Sequence, residues 1–330
     1  MSLKILKPGL LTSIQDLGRK GYQKHGIIVS GAMDTYALRI ANILVGNKES
    51  EAAIEITLLG PSIIIEGGTL ISITGGNLSP TIDGKEVPMY RPVYIHKKSI
   101  LKFGNCKSGC RAYLAVAGGY DVREVMHSKS TYMRAGIGGF EGRTLKEDDV
   151  IKLNPYSELS KRIISSLYKE NLSSSFTYSN WYLKKENYRY SHFIRVIRER
   201  QFDEFTVESQ KSFFYNKFQI NMQSDRMGYR LDGESLKLKR KFEMISEPVS
   251  FGTIQVPPDG KPIILLADRQ TTGGYPKIAK VIDIDIYKVA QGKPGEYFRF
   301  REISLEKAEE LYINREKCIN KLKAAVKLKV

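Results

Sequence analysis

Along the first 150 residues, apolar and β-branched side chains come in short runs, at 62–65, 70–74, 93–95, 113–116 and 150–153, each bounded by Gly, Pro, Asn or Asp. Runs of this length with turn residues between them predict strands at the spacing of a barrel or a sandwich. One stretch departs from that rhythm. Across 33–45, Ala37, Ile40, Ala41 and Leu44 recur at helical spacing on one face, with Ser30 or Asp34 available as the cap, which predicts a helix. Residues 157–191 carry eight serines before Ser191 together with Lys, Asn and Tyr, show no sustained strand pattern, and read as a connection between domains. The strand pattern resumes at 192–196, 217–221, 252–256, 263–267 and 280–284. Over residues 305–330 Leu305, Ala308, Tyr312, Ile319, Leu322 and Val326 are three, four or seven apart, an amphipathic helix. The expected organisation is therefore a β domain over 1–156, a connecting segment over 157–191, a second β domain over 192–304 and a helix over 305–330.

The two halves echo one another. Gln15-Asp16-Leu17-Gly18-Arg19 is followed by the acidic strand Ile54-Glu55-Ile56 and then by an apolar run ending in Gly118-Gly119. Ser224-Asp225-Arg226-Met227-Gly228 is followed by Ile245-Ser246-Glu247 and then by Ile263 to Ala267 before Gly273-Gly274. The order is shared and the spacing is not, so duplication stays open at this point.

Length supports two domains, since 330 residues exceed what one core usually serves. A 42% hydrophobic and 27% charged composition is that of a folded chain. The net charge of +16 invites a nucleic-acid reading, but its excess is spread as +6 over 1–156, +6 over 157–245 and +4 over 246–330. A phosphate-binding footprint would be a concentrated stripe. The only concentration is the tail from Arg315 to Lys329, six basic groups against Glu316, so neither a nucleic acid nor a membrane is the expected partner. That helix is expected to pack on its own barrel or on a second copy of the chain, with its basic side in solvent. No apolar run approaches the roughly 20 residues of a membrane span, and the N-terminus lacks the apolar core of a signal peptide. The expected location is the cytoplasm. The odd number of cysteines, Cys106, Cys110 and Cys318, points to reduced thiols.

Chemistry concentrates in a few loops. Asp268, Arg269, Gln270, Thr271, Thr272, Gly273, Gly274 and Tyr275 leave the end of an apolar strand, where polar groups are costly to order unless they find partners. They form either a ligand site or a turn network. The segment from Ser224 to Gly233 sets Arg226 and Arg230 beside Asp225 and Asp232, and guanidinium forks match carboxylate, carbamate or phosphate oxygens. A surface ion-pair ladder reads equally well there. Glu247 is a candidate acid or base and Gln255 a candidate donor to a carbonyl oxygen. In the first half, Gln15, Asp16 and Arg19 in one polar loop and Ser30 with Asp34 in another are candidate substrate-binding residues. Ser30-Gly31 precedes the predicted helix and could hold an anion, with ordinary capping as the alternative. Catalysis is expected on Asp268, Glu247, Gln255 and Asp225, and binding on Arg226, Arg230, Arg269, Gln270, Thr271, Tyr275 and the first-half loops.

No phosphate-loop motif, zinc-protease motif or serine-hydrolase elbow is present, and the four histidines are dispersed, so no metal is expected. An Ala-Met-Lys-Met segment for covalent biotin is also lacking. In the combination of Thr12 to Gly18, Ser30 to Asp34, Gly118-Gly119, Ser224 to Gly233, Gly252 to Pro257 and Ala267 to Pro276, the chain resembles the biotin-dependent carboxyltransferase-like family that contains the C-type subunit of bacterial 5-oxoprolinase, also called allophanate hydrolase subunit 2. That family also includes an antagonist of a histidine-kinase inhibitor. The resemblance implies a mainly β fold of two cyclophilin-like β-barrel domains in tandem. It also implies two partners, a kinase-inhibitor-like B-type subunit together with an A-type one, with ATP or carrier-borne biotin arriving through them. One departure stands out: His127-Ser128-Lys129-Ser130-Thr131 has Lys where relatives tend to carry Arg, a point charge in place of a fork. Two functions follow from the resemblance. The chain is either part of an enzyme that acts with its partners on a small amide or lactam, or a regulatory protein that sequesters a kinase inhibitor. The polar content of the loops favours the enzyme, since an interaction surface would need apolar anchors.

Overall fold

A computed structural model describes residues 1–168, 174–184, 193–240 and 244–330. Its contacts divide the chain into two compact units. The first takes residues 1–19, 30–187 and 318–330, and the second takes 20–29 and 188–317.

In the first unit the elements are β1 (Ser2–Lys7), β2 (Leu11–Gln15), α1 (Thr35–Leu44), β3 (Ala53–Thr57), β4 (Ser62–Ile65), β5 (Thr69–Asn77), β6 (Thr81–Ile82), β7 (Lys85–Glu86), β8 (Val93–Ile95), β9 (Ser99–Lys102), β10 (Ser108–Val116), β11 (Val150–Lys152), α2 (Glu158–Leu167) and β12 (Phe176–Tyr178). They form two six-stranded sheets, ordered β11-β1-β4-β9-β6-β7 and β12-β8-β5-β10-β3-β2. Alternate residues of both sheets, among them Leu3, Ile5, Ile63 and Ile65 from one and Ile54, Ile73 and Leu114 from the other, fill a single apolar core. Strands β3, β5 and β10 are buried on both faces because α1 covers the far side. Asp34 caps that helix through Ala37 N–H at 2.9 Å, and Ala37, Ile40, Ala41 and Leu44 are all buried, as their spacing predicts.

The second unit contains β13 (Phe193–Arg198), α3 (Val207–Tyr215), β14 (Phe218–Ile220), β15 (Gly228–Asp232), β16 (Glu247–Pro248), β17 (Thr253–Gln255), β18 (Ile263–Leu265), β19 (Thr272–Gly273), β20 (Lys277–Val281), α4 (Ile286–Gln291), β21 (Tyr297–Glu302) and the start of α5 (Leu305–Leu328). Seven strands close a barrel in the order β13-β20-β17-β18-β15-β14-β21, while β16 and β19 pair separately. The fold is mainly β with a few helices. Among the described residues no helix is long and apolar enough to cross a membrane.

Three differences from the sequence pattern have physical causes. Residues 157–191 are not featureless: Ser157 accepts from Ser160 N–H at 3.0 Å and starts α2, and β12 extends a sheet of the first unit beside β8. Residues 169–173 and 185–192 of that segment and of the following strand lie outside the described residues. Strand β20 spans Lys277–Val281 and stops short of 284, because the chain turns into a 3-10 helix at Asp283–Asp285, where Asp285 accepts from Arg195 N–H at 2.9 Å. The C-terminal stripe is only half used. Ala308, Ile319 and Val326 are buried, but Leu305 and Tyr312 are exposed, so the helix is held at intervals rather than along its length.

Candidate functional site

In the first unit the loop after β2, the loop before α1 and the 127–131 loop meet around one carboxylate. Asp16 Oδ1 accepts from Gly18 N–H at 2.7 Å and Ser128 Oγ at 2.8 Å, and also from Ser130 Oγ. Its Oδ2 accepts from Lys129 N–H at 2.6 Å. Gln15 donates to Ser13 Oγ at 3.0 Å and Thr131 O at 3.2 Å, and Ser30 donates to Thr131 O at 3.0 Å. Arg19 is fully buried and reaches Ser130 O at 2.5 Å. Gly31 allows the two loops to approach: at φ +94° a Cβ there would lie 2.9 Å from Gly18 N. Lys129, the point charge in the place of a fork, is spent on Glu51 at 2.7 Å.

The N-terminus of α1 is likewise filled by the protein's own carboxylates. Asp34 takes Ala37 N–H, and Glu55 takes Met33 N–H at 2.8 Å. Of the two readings of this segment, capping is present: Asp34 caps the first turn, and Glu55 accepts from Met33 just before it. In the sequence Glu55 stands only as an acid in an apolar strand. Cross-strand register brings it to Tyr113, whose hydroxyl donates to it at 2.7 Å, with Arg111 4.0 Å away. Burial, with Glu55 and Asp34 alongside, pushes the Tyr113 phenol well up. An acid flanked by Ile on a strand was the available signal for this buried group.

The second unit gathers most of its candidates. Arg226 and Asp268 form a forked ion pair, Nε to Oδ2 at 2.9 Å and Nη2 to Oδ1 at 3.0 Å, with side chains only 3% and 7% exposed. The pairing is fixed by main chain, since Asp268 N–H donates to Arg226 O at 2.9 Å and Leu266 N–H to Met227 O at 2.9 Å. Arg269 turns back on the same loop, donating from Nη1 to Leu266 O at 3.1 Å and from Nε to Val249 O at 3.5 Å, with its Cζ 5.6 Å from the Phe251 ring centroid. Burial alone pushes this guanidinium down to about 10.

Val249 N–H donates to Thr271 O, and β16 pairs with β19, so Glu247 stands opposite Gly273. Lys277, 8% exposed, donates to Glu247 Oε2 at 2.9 Å and to Pro248 O at 3.2 Å. The ammonium holds the Glu247 carboxyl below the usual carboxylate range. Gln255 is buried and its amide donates to Tyr275 O at 3.4 Å. Gly273 is what makes room for that amide, as a Cβ there would lie 2.5 Å from Gln255 Nε2.

Asp268, Arg269, Arg226, Glu247, Gln255, Thr271 and Tyr275 thus belong to one knot of loops at the end of β18. Gln270 is exposed beside it, and Tyr275 joins it through its main chain with its side chain exposed. The remaining two candidates do something else. Asp225 is an exposed turn acceptor for Met227 N–H at 2.7 Å, and Arg230 is an exposed residue on β15. Lys277 and Phe251 were missed. A lysine opening a strand and a phenylalanine in a turn carry no local mark of the partners they meet 30 and 18 residues away.

Among known proteins, the chain is 38% identical over 300 residues to the C subunit of 5-oxoprolinase from Haemophilus influenzae, covering 91% of this chain and 90% of that one. It is also 38% identical over 306 residues to the C subunit of 5-oxoprolinase from Escherichia coli, covering 93% of each. The crystal structure of the Kluyveromyces lactis urea carboxylase superposes with a TM-score of 0.84 at 30% identity over 97% of this chain, which spans only 29% of that larger one. Residues 25–302 match the family described as carboxyltransferase domain, subdomain A and B. With that span and those relatives, the chain belongs to the carboxyltransferase domain, subdomain A and B, family.

Proposed function

We propose that the chain is the C-type subunit of an ATP-dependent 5-oxoprolinase, which opens 5-oxo-L-proline to L-glutamate together with a kinase-inhibitor-like B-type partner and an A-type partner. The observation that carries this reading is one of length. The chain matches about nine-tenths of two 5-oxoprolinase C subunits at 38% identity, but less than a third of the urea carboxylase.

In this reading the loop knot at the end of β18 receives the lactam. Arg226 holds Asp268 in a forked ion pair, which fixes the direction of its carboxyl group. Glu247, ionised and half-exposed beside Lys277, is the group placed to accept one. Gln255 positions the Tyr275 main chain. The first-unit loops do not fit a nucleotide phosphate, because Gly18 and Lys129 N–H already serve Asp16, and Met33 and Ala37 N–H serve Glu55 and Asp34. Nucleotide chemistry is therefore assigned to the partners.

A second reading, carboxyl transfer from carrier-borne biotin to a urea-like nitrogen, draws on the 0.84 TM-score to the urea carboxylase. Co-purification with the native partners separates the two. The assembly is expected to release glutamate from 5-oxoproline only with ATP, and the single chain to show no turnover. Turnover of urea with a biotin carrier in place of 5-oxoproline would select the second reading, and robust activity of the chain alone would overturn partner dependence.

A further inference from the structure

Within the second unit's loop knot the charges do not cancel. Arg226 is matched by Asp268, and Lys277 by Glu247. Arg269 remains, with no carboxylate in ion-pair reach among the described residues. Its own bonds go to two main-chain carbonyls, which neutralise nothing. They use Nη1 and Nε and leave the Nη2 edge without a protein acceptor, and that edge is not sealed from solvent. Holding a half-buried cation in that state has a cost, visible in the downward push on its proton affinity. The two carbonyls and the Phe251 face also fix the guanidinium plane, so little freedom is lost when an anion meets it.

We propose that Arg269 is the docking group for a small planar carboxylate-type monoanion, taken on its Nη2 edge beside the Phe251 ring. Two sources share that chemistry: the carboxylate of the lactam substrate and a bicarbonate-like carboxyl group. The choice between them rests on the function proposed above, while the anion site itself does not. Arg226, the arginine that sequence spacing favours equally, is excluded because its fork is already filled by Asp268.

Phenylglyoxal modification of the intact chain, mapped by mass spectrometry, tests this without any variant. Arg269, accessible and of lowered proton affinity, should be modified faster than Arg226, which serves as the internal reference. Saturating 5-oxo-L-proline or bicarbonate should slow modification of Arg269 at least about tenfold, the scale of a charge-assisted fork, and neutral 2-pyrrolidone should not. R269Q should abolish calorimetrically detected binding of the same anion, and R269K, which keeps the charge but not the fork, should weaken it. Protection by bicarbonate alone keeps the anion site and discards the 5-oxoprolinase reading. Protection by neither anion, or equal protection by pyrrolidone, overturns the proposal.

Discussion

In the first unit the turn Gln15 to Arg19 and in the second the turn Ser224 to Gly228 are built alike at their start: Asp16 accepts from the N–H two residues on at 2.7 Å, and so does Asp225. They diverge in what the neighbouring arginine meets. Arg19 ends on a carbonyl, Ser130 O, while Asp16 is surrounded by the hydroxyl and N–H donors of the 128–130 loop. Arg226 ends on a carboxylate, Asp268, beside a further cation. The first arrangement gathers hydroxyl and N–H donors on its own acid. The second is charge-paired at its base and leaves one cation over. Shared local turns do not entail a shared task, because the partner supplied by a distant strand sets the electrostatics.

The contrast can be broken by mutation. R226Q would leave Asp268 buried with its charge unmatched, and is expected to cost about 3–5 kcal/mol, read as a drop in the urea midpoint at unchanged slope. D16A removes four hydrogen bonds to a carboxylate that no arginine fork holds, so about 2–3 kcal/mol is expected. If D16A costs more than R226Q, the first unit's hub is the stiffer of the two and the contrast fails.

Acid sensitivity sharpens it further. Burial would raise Asp285, yet its forked contact with Arg195, at 2.9 and 2.6 Å, together with Lys288 holds it below the usual carboxylate range. In the first unit Arg143 does the same for Asp149 against a weaker burial effect. A carboxyl lowered on folding contributes stability that is present above its unfolded value, near 3.8, and is lost as pH falls through the lowered one. D285N and D149N should therefore each flatten the loss of stability below about pH 4, read in urea titrations at a series of pH values. The smallest effect belongs to the end of α5. Lys323 meets Glu49 at 2.9 Å with both side chains partly in solvent, so K323M should cost under about 1 kcal/mol.

What sequence made legible follows from range. Helix α1 was readable because its apolar face, cap and length all lie within a dozen residues. The apolar run at 263–267 was readable because its exit loop concentrates polar groups next to it. Helix α2 was not: its buried face is Ser160, Ile163 and Leu167, and serines at inward positions conceal an apolar stripe. Ser160 is inward because its hydroxyl serves Val45 O, over a hundred residues back. The same holds for the site. That Arg226 and Asp268 share a loop knot could be anticipated from two polar segments of one domain. That they cancel, leaving Arg269 as the remaining cation, depends on strand register, which composition does not encode.

Gly273 and Gly274 look interchangeable in the sequence. The space at Gly273 is taken by the protein itself, since the Gln255 amide lies where a Cβ would be, whereas a Cβ at Gly274 would meet only Ser246 Oγ at 3.5 Å and Met244 O at 3.6 Å. Mutational drift through this doublet should therefore be lopsided. Lineages could try alanine or serine at 274 and keep a working chain, but any side chain at 273 would first have to find a smaller tenant for position 255.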